Sequence, residues 1–152
     1  MAIRKEGAFI EILLPNGMFS YGRILAKASF AFYNIYSENK ILDLEFIKNA
    51  EIIFINSVYK YAISKNRWII IGIIELEPNL RVLPMEFIQD TFNYNQIELY
   101  DPNTGEIKQS QKSECLGLER AAVWEPEHIE DRIIDYFEGR LNVWYESLKI
   151  KD

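Results

Sequence analysis

Residues 8–26 read AFIEILLPNGMFSYGRILA, and this stretch decides the fold class. Its two flanks, 8–14 and 19–26, are rich in β-branched and aromatic residues. Between them stands Pro15-Asn16-Gly17, residues that favour a reversal of the chain. The stretch therefore predicts a β-hairpin near the N-terminus.

Further strands follow on both sides of that reading. Residues 30–36 (FAFYNIY) form a third aromatic-rich segment, and 51–55 (EIIFI) and 68–74 (WIIIGII) are near-continuous apolar runs. Runs of that kind are expected at central positions of a sheet, covered on both faces. Residues 57–66 have room for one or two helical turns. A second hairpin is expected from 97–100 and 106–108, joined by Asp101-Pro102-Asn103-Thr104-Gly105. For 116–124 (LGLERAAVW) strand and short helix fit equally well.

From Pro126 the period changes from two to 3.6. Ile129, Ile133, Phe137, Leu141, Trp144 and Leu148 recur at spacings of four and three, with Pro126 at the first helical position and Glu127, Glu130 and Asp131 near the positive end of the dipole. One amphipathic helix of about six turns is predicted. Its apolar stripe, including Leu141 and Trp144, is expected to face the sheet. The fold class read from these elements is α+β: a strongly twisted, mostly antiparallel sheet, open or partly closed, covered by a long C-terminal α-helix.

At 152 residues the chain fits one domain, 1–152, without repeats, low-complexity tracts or an interdomain linker. A single cysteine cannot make an internal disulfide, and a reducing compartment is the simpler setting. The N-terminal apolar stretch is broken by Glu11 and Pro15, so no signal-peptide core is read there, and no apolar run approaches the roughly 20 residues of a membrane span. A cytoplasmic protein that engages neither membrane nor nucleic acid is expected.

The net charge of −6 has one address. Between Glu114 and Glu138 eight acids (Glu114, Glu119, Glu125, Glu127, Glu130, Asp131, Asp135, Glu138) stand against two bases (Arg120, Arg132), which accounts for the whole excess. An electrostatically selected partner should be basic and should meet this end of the molecule. On a helical wheel Glu127, Asp131, Asp135 and Glu138 share one face. Like charges at those spacings weaken an isolated helix by a few tenths of a kcal/mol per pair. The ridge is thus a candidate partner-binding surface, with a plain solvated face as the alternative.

Catalytic chemistry finds little support. No Gly-rich phosphate loop, His-Glu-x-x-His pattern or Cys-x-x-Cys pair occurs, and with one His and one Cys no metal site or cofactor is expected. Cys115 and His128 are the one thiol and base available for nucleophilic catalysis. Glu114 and Glu119 flank the thiol, and negative neighbours oppose thiolate formation. A buried apolar Cys115 and a first-turn His128 are the structural reading.

The segment Cys115-Leu116-Gly117-Leu118-Glu119, then Ala121 to Trp124, then His128-Ile129-Glu130 and Arg132, resembles the immunity protein 26 family of bacterial polymorphic toxin systems. Softer similarities are Gly7 to Phe9, Phe19-Ser20-Tyr21-Gly22-Arg23, Phe32-Tyr33, and Trp68 with Ile70 and Gly72. An acidic residue belongs after the Phe-Tyr pair in the family pattern, whereas this chain has Asn34.

The resemblance implies an α+β protein made beside a toxin gene, which binds and neutralises that toxin, often a nuclease. Cys115, Gly117, Glu119, Trp124 and His128 form the family-like block, with an architectural role as the alternative. The chain is expected to be a monomer, and not an enzyme. A competing reading is a small-ligand-binding protein or enzyme with a pocket near Cys115, Glu119 and Trp124.

Overall fold

The computed structural model describes residues 2–152. Its fold is α+β, with two open sheets. The expected hairpin is β1 (Ala8–Leu13) and β2 (Phe19–Ile24), closed where Leu14 donates its backbone N–H to Met18 over 2.8 Å and Gly17 takes a positive φ. β3 (Ser29–Tyr33) follows, then a short helix α1 (Leu44–Lys48) capped by Asp43, then β4 (Ile52–Val58) and the single turn α2 (Tyr61–Ser64). β5 (Ile69–Ile73) returns to pair with β1.

A 3-10 turn at Pro78–Leu80 leads into the second sheet: β6 (Glu86–Gln89), β7 (Ile97–Tyr100) and β8 (Ile107–Ser110), the last two forming the expected second hairpin. Short α3 (Lys112–Cys115) precedes the stretch that the sequence left open between strand and helix. It becomes two strands of two residues each, β9 (Glu119–Arg120) and β10 (Val123–Trp124). β9 runs parallel to β6 in the small sheet, and β10 runs parallel to β4 in the large one. Six consecutive residues thereby join the two sheets, whose orders are β10-β4-β3-β2-β1-β5 and β8-β7-β6-β9.

Of the two apolar runs expected at central positions, β4 lies inside the large sheet and β5 lies at its edge. None of the five β5 residues is buried, and Ile69 and Ile73 are 45% and 48% exposed. Apolarity without alternation does not encode position within a sheet. Here it serves a strand covered on one face by Leu44 of α1, whose side chain leaves no space for a Cβ at Gly72.

The predicted six-turn helix is two helices. α4 (Pro126–Glu138) ends at Gly139, which adopts the left-handed conformation at φ 72°, while Arg140 returns its N–H to the Asp135 carbonyl. α5 (Val143–Leu148) restarts at Asn142, whose side chain accepts from the Tyr145 N–H. Ile129 and Ile133 pack as expected on Phe30, Phe32 and Trp68, with Phe137 partly buried beside them. Beyond the break Leu141 and Trp144 leave the stripe, 82% and 36% exposed, while Leu148 packs against the core again. No helix among the described residues is long and apolar enough to cross a membrane.

Two arginines, Arg23 buried and Arg132 partly buried, tie these layers. Arg23 on β2 donates to the carbonyls of Gly7, Ile74 and Glu75, to the Tyr33 hydroxyl and to Glu77, and lies over the Phe9 ring. Gly7 permits this meeting, since a Cβ there would come within 2.5 Å of the Ile74 carbonyl oxygen. Arg132 on α4 reaches across both sheets to Asn56 of β4 and Glu119 of β9.

Candidate partner-binding groove

The junction made by β10, the start of α4 and the outward side of α5 forms a groove of about 230 Å3. Tyr59, Val123, Trp124, Glu125, His128 and Trp144 are among its walls. Pairing of β10 with β4 sets the floor: the Tyr59 N–H donates to the Trp124 carbonyl over 3.1 Å, and the Trp124 side chain is only 4% exposed.

Trp144 is held although it is exposed. Its indole lies 3.7 Å from the His128 ring, nearly parallel to it, and its Nε1 donates to Asp131 over 3.1 Å. The helix break allows this placement, because a continuous helix would carry Trp144 on along the apolar stripe.

At the other side Tyr61 of α2 donates from its hydroxyl towards Glu125 (2.5 Å) and Glu127 (2.7 Å). Desolvation, and then the two carboxylates, hold this hydroxyl well above the usual tyrosine range. The same contact, more than the Arg67 guanidinium 3.4 Å away, holds Glu127 below the usual carboxylate range. Asp131 and Glu125, the two carboxylates nearest the exposed rings, have hydrogen bonds from neutral donors and no ion pair among the described residues.

Of the ridge, Asp131 meets this groove through the Trp144 indole and Glu127 is held by Tyr61 and Arg67, whereas Asp135 is turned to another task. It accepts from Arg140 Nε (3.1 Å) and Asn142 Nδ2 (2.9 Å), and so clasps the break between α4 and α5. Glu138 is exposed at the end of α4 and has no such partner among the described residues. Glu130, which the sequence assigns to the dipole, is instead 2% exposed, held by Arg67 through two contacts of 2.8 Å and by Trp68 Nε1 at 2.9 Å. Its place on the wheel between Ile129 and Ile133 was the available sign.

The family-like block divides. Trp124 and His128 belong to the groove; Cys115, Gly117 and Glu119 line a different cleft of about 290 Å3, together with Arg120 and Leu118. Cys115 is buried against Phe87 and Ile97, its sulfur 3.8 Å from Ser110 Oγ. Glu119 is engaged by Arg132 at 2.9 Å and by Asn56 at 2.9 Å. The competing pocket near Cys115, Glu119 and Trp124 is thus two clefts. Neither a Cys115–His128 contact nor a cluster of three or more His, Cys, Asp or Glu side chains suited to a metal occurs among the described residues.

Tyr59 and Trp144 complete the groove, and Tyr61 holds its Glu125, none of them marked as a site residue by the sequence. Tyr59 and Tyr61 sit in the sequence among many similar tyrosines, and the exposure of Trp144 depends on the Gly139 and Asn142 signals read together.

Comparison with known proteins gives one match and two blanks. No curated protein and no solved structure matches the chain. The family model described as Immunity protein 26 matches residues 5–97, more than half of the chain. That range holds β1 to β6 and the start of β7, with the Arg23 junction and all the softer similarities, and it stops before the Cys115 block. On this match, the chain belongs to the Immunity protein 26 family.

Proposed function

We propose that the protein neutralises a cognate bacterial toxin by direct stoichiometric binding in the cytoplasm, and that the toxin is a basic nuclease. Membership of an immunity family carries the reading. The charge distribution supports its electrostatic part, since the whole negative excess lies between Glu114 and Glu138. Exposed carboxylates on one end of a small protein raise the rate at which a basic partner arrives, more than they raise final affinity. A monomer acting one to one is sufficient.

No catalytic step is assigned to the immunity protein. The buried Cys115 and the engaged Glu119 act as structural groups in this reading. Co-expression with the toxin domain encoded beside the gene should rescue growth, and Cys115→Ser should rescue equally well. Loss of rescue with a well-folded Cys115→Ser protein would return the thiol to the mechanism. Stopped-flow association with the same toxin domain should slow several-fold between about 50 and 500 mM salt, because screening shortens the reach of exposed charges to a few ångströms. A salt-independent rate would remove the basic toxin from the proposal.

A further inference from the structure

The groove beside Trp144 differs in charge from four other clefts of the surface. Each of those four is lined by at least two lysine or arginine side chains, such as Arg132, Arg140 and Lys149 in the one between β4 and the helices, or Lys112, Arg120 and Lys149 beside Cys115. This groove is lined by none, and Glu125 is among its walls. Tyr59, Val123 and Trp144 are 46%, 47% and 36% exposed along it, a continuous apolar and aromatic surface with carboxylates at its margin.

Resting on the immunity reading, we propose that this groove is the docking site for a basic side chain of the toxin, an arginine or lysine laid against Trp144 and Tyr59 and neutralised by Asp131 and Glu125.

Three features of the site fit that occupant. A guanidinium or ammonium over an indole or phenol face gains from the ring quadrupole, and gains more once water is excluded. Asp131 and Glu125 have no ion-pair partner among the described residues, whereas neighbouring Glu127 and Asp135 already hold Arg67 and Arg140. Trp144 is fixed beforehand by His128 and Asp131, so little rotamer freedom is lost when a partner settles on it. A rigid tryptophan in a charge-complementary pocket has the character of an interface hot spot. Apart from Tyr59, the walls of the groove also lie beyond residue 97, outside the part that the family shares through its model, where a contact particular to one toxin has freedom to vary.

Trp144 reports on its own occupancy, because Trp68 and Trp124 are buried at 0% and 4% exposure. Adding the toxin domain encoded beside the gene should protect the fluorescence of the exposed tryptophan from acrylamide, and Trp144→Phe should abolish that change. Affinity for the same domain should fall about 30-fold or more in Trp144→Ala and in Val123→Lys, the size expected of a hot spot, with circular dichroism melts unchanged. A melt-neutral Val123→Lys guards against an effect of Trp144→Ala on folding. Full affinity in both variants, alongside growth rescue by the unmodified protein, would overturn the groove and leave the immunity reading standing. Absence of rescue by the unmodified protein would overturn both. Binding lost on removing arginines and lysines from the toxin surface supports the cationic occupant; binding indifferent to them, yet lost in Val123→Lys, refutes it.

Discussion

Arg23 and Arg132 are both arginines stacked on aromatic rings, and they solve different problems. Arg23 lies in the region that the family model matches, fully buried, with its donors taken up by backbone carbonyls, a tyrosine and Glu77, all within the large sheet and its following loop. Arg132 lies outside that region, sandwiched between Phe54 at 3.8 Å and Tyr145 at 4.2 Å, and its partners come from both sheets. One arginine fixes a sheet from inside; the other fixes two sheets to each other. Backbone carbonyls cannot move away from Arg23, while the partners of Arg132 are side chains on short strands.

The difference predicts unequal losses. Arg23→Met removes the donor from several buried acceptors and leaves Glu77 beside apolar surface. Stability should fall by about 3–5 kcal/mol, the cost of breaking a buried ion pair from one side. A chemical denaturation curve checks it, and a loss below about 1 kcal/mol would show that water satisfies those carbonyls.

Arg132→Met should be milder, about 1–3 kcal/mol, because Glu119 and the guanidinium itself retain partial access to solvent, although Asn56 is buried. Its distinctive sign is local. Amide hydrogen exchange should rise at β9 and β10 while β1 to β3 stay protected. Uniform loss of protection would mean that the second junction is no more local than the first.

How much of this was legible beforehand follows from where the information is local. The hairpins at 8–26 and 97–108 were readable because turn residues and apolar flanks act within a few positions. Residues 116–124 were not, because two-residue strands take their conformation from partners 33 to 66 positions away: Glu86 for Glu119, Val58 for Trp124. The apolar stripe predicts too long a C-terminal helix because it continues in phase past Gly139, and periodicity alone outweighs a Gly and an Asn that mean stop and restart. The acidic segment was visible as charge. Which of its acids are engaged was not, since Arg67 and Tyr61 approach Glu127 from elements 60 or more residues distant.

The smallest expected effect concerns Glu86, and it separates the two junctions most finely. Arg23 leaves no carboxylate unbalanced beside it, but the second junction does. Glu86 on β6 lies opposite Glu119 on β9 and Tyr100 on β7, and Arg132 on α4 is spent on Glu119. Burial, and then the charge of Glu119, push the Glu86 carboxyl up to about 7. An acid raised in the folded state binds its proton more tightly there than in the unfolded chain, where its pKa is about 4.3. Its contribution to stability is therefore complete below the unfolded value and is lost as pH rises towards 7. Glu86→Gln should leave stability nearly unchanged at pH 4 and raise it at pH 8 by about 1 kcal/mol, discounted because the carboxyl is only half-buried. That corresponds to a rise of about 3 °C in the melting temperature for a chain of this length. Glu119→Gln should act in the opposite sense, since it deprives Arg132 of its counter-charge. If Glu86→Gln and the unmodified protein melt together at pH 8, Arg132 balances both carboxylates, and the second junction is as well satisfied as the first.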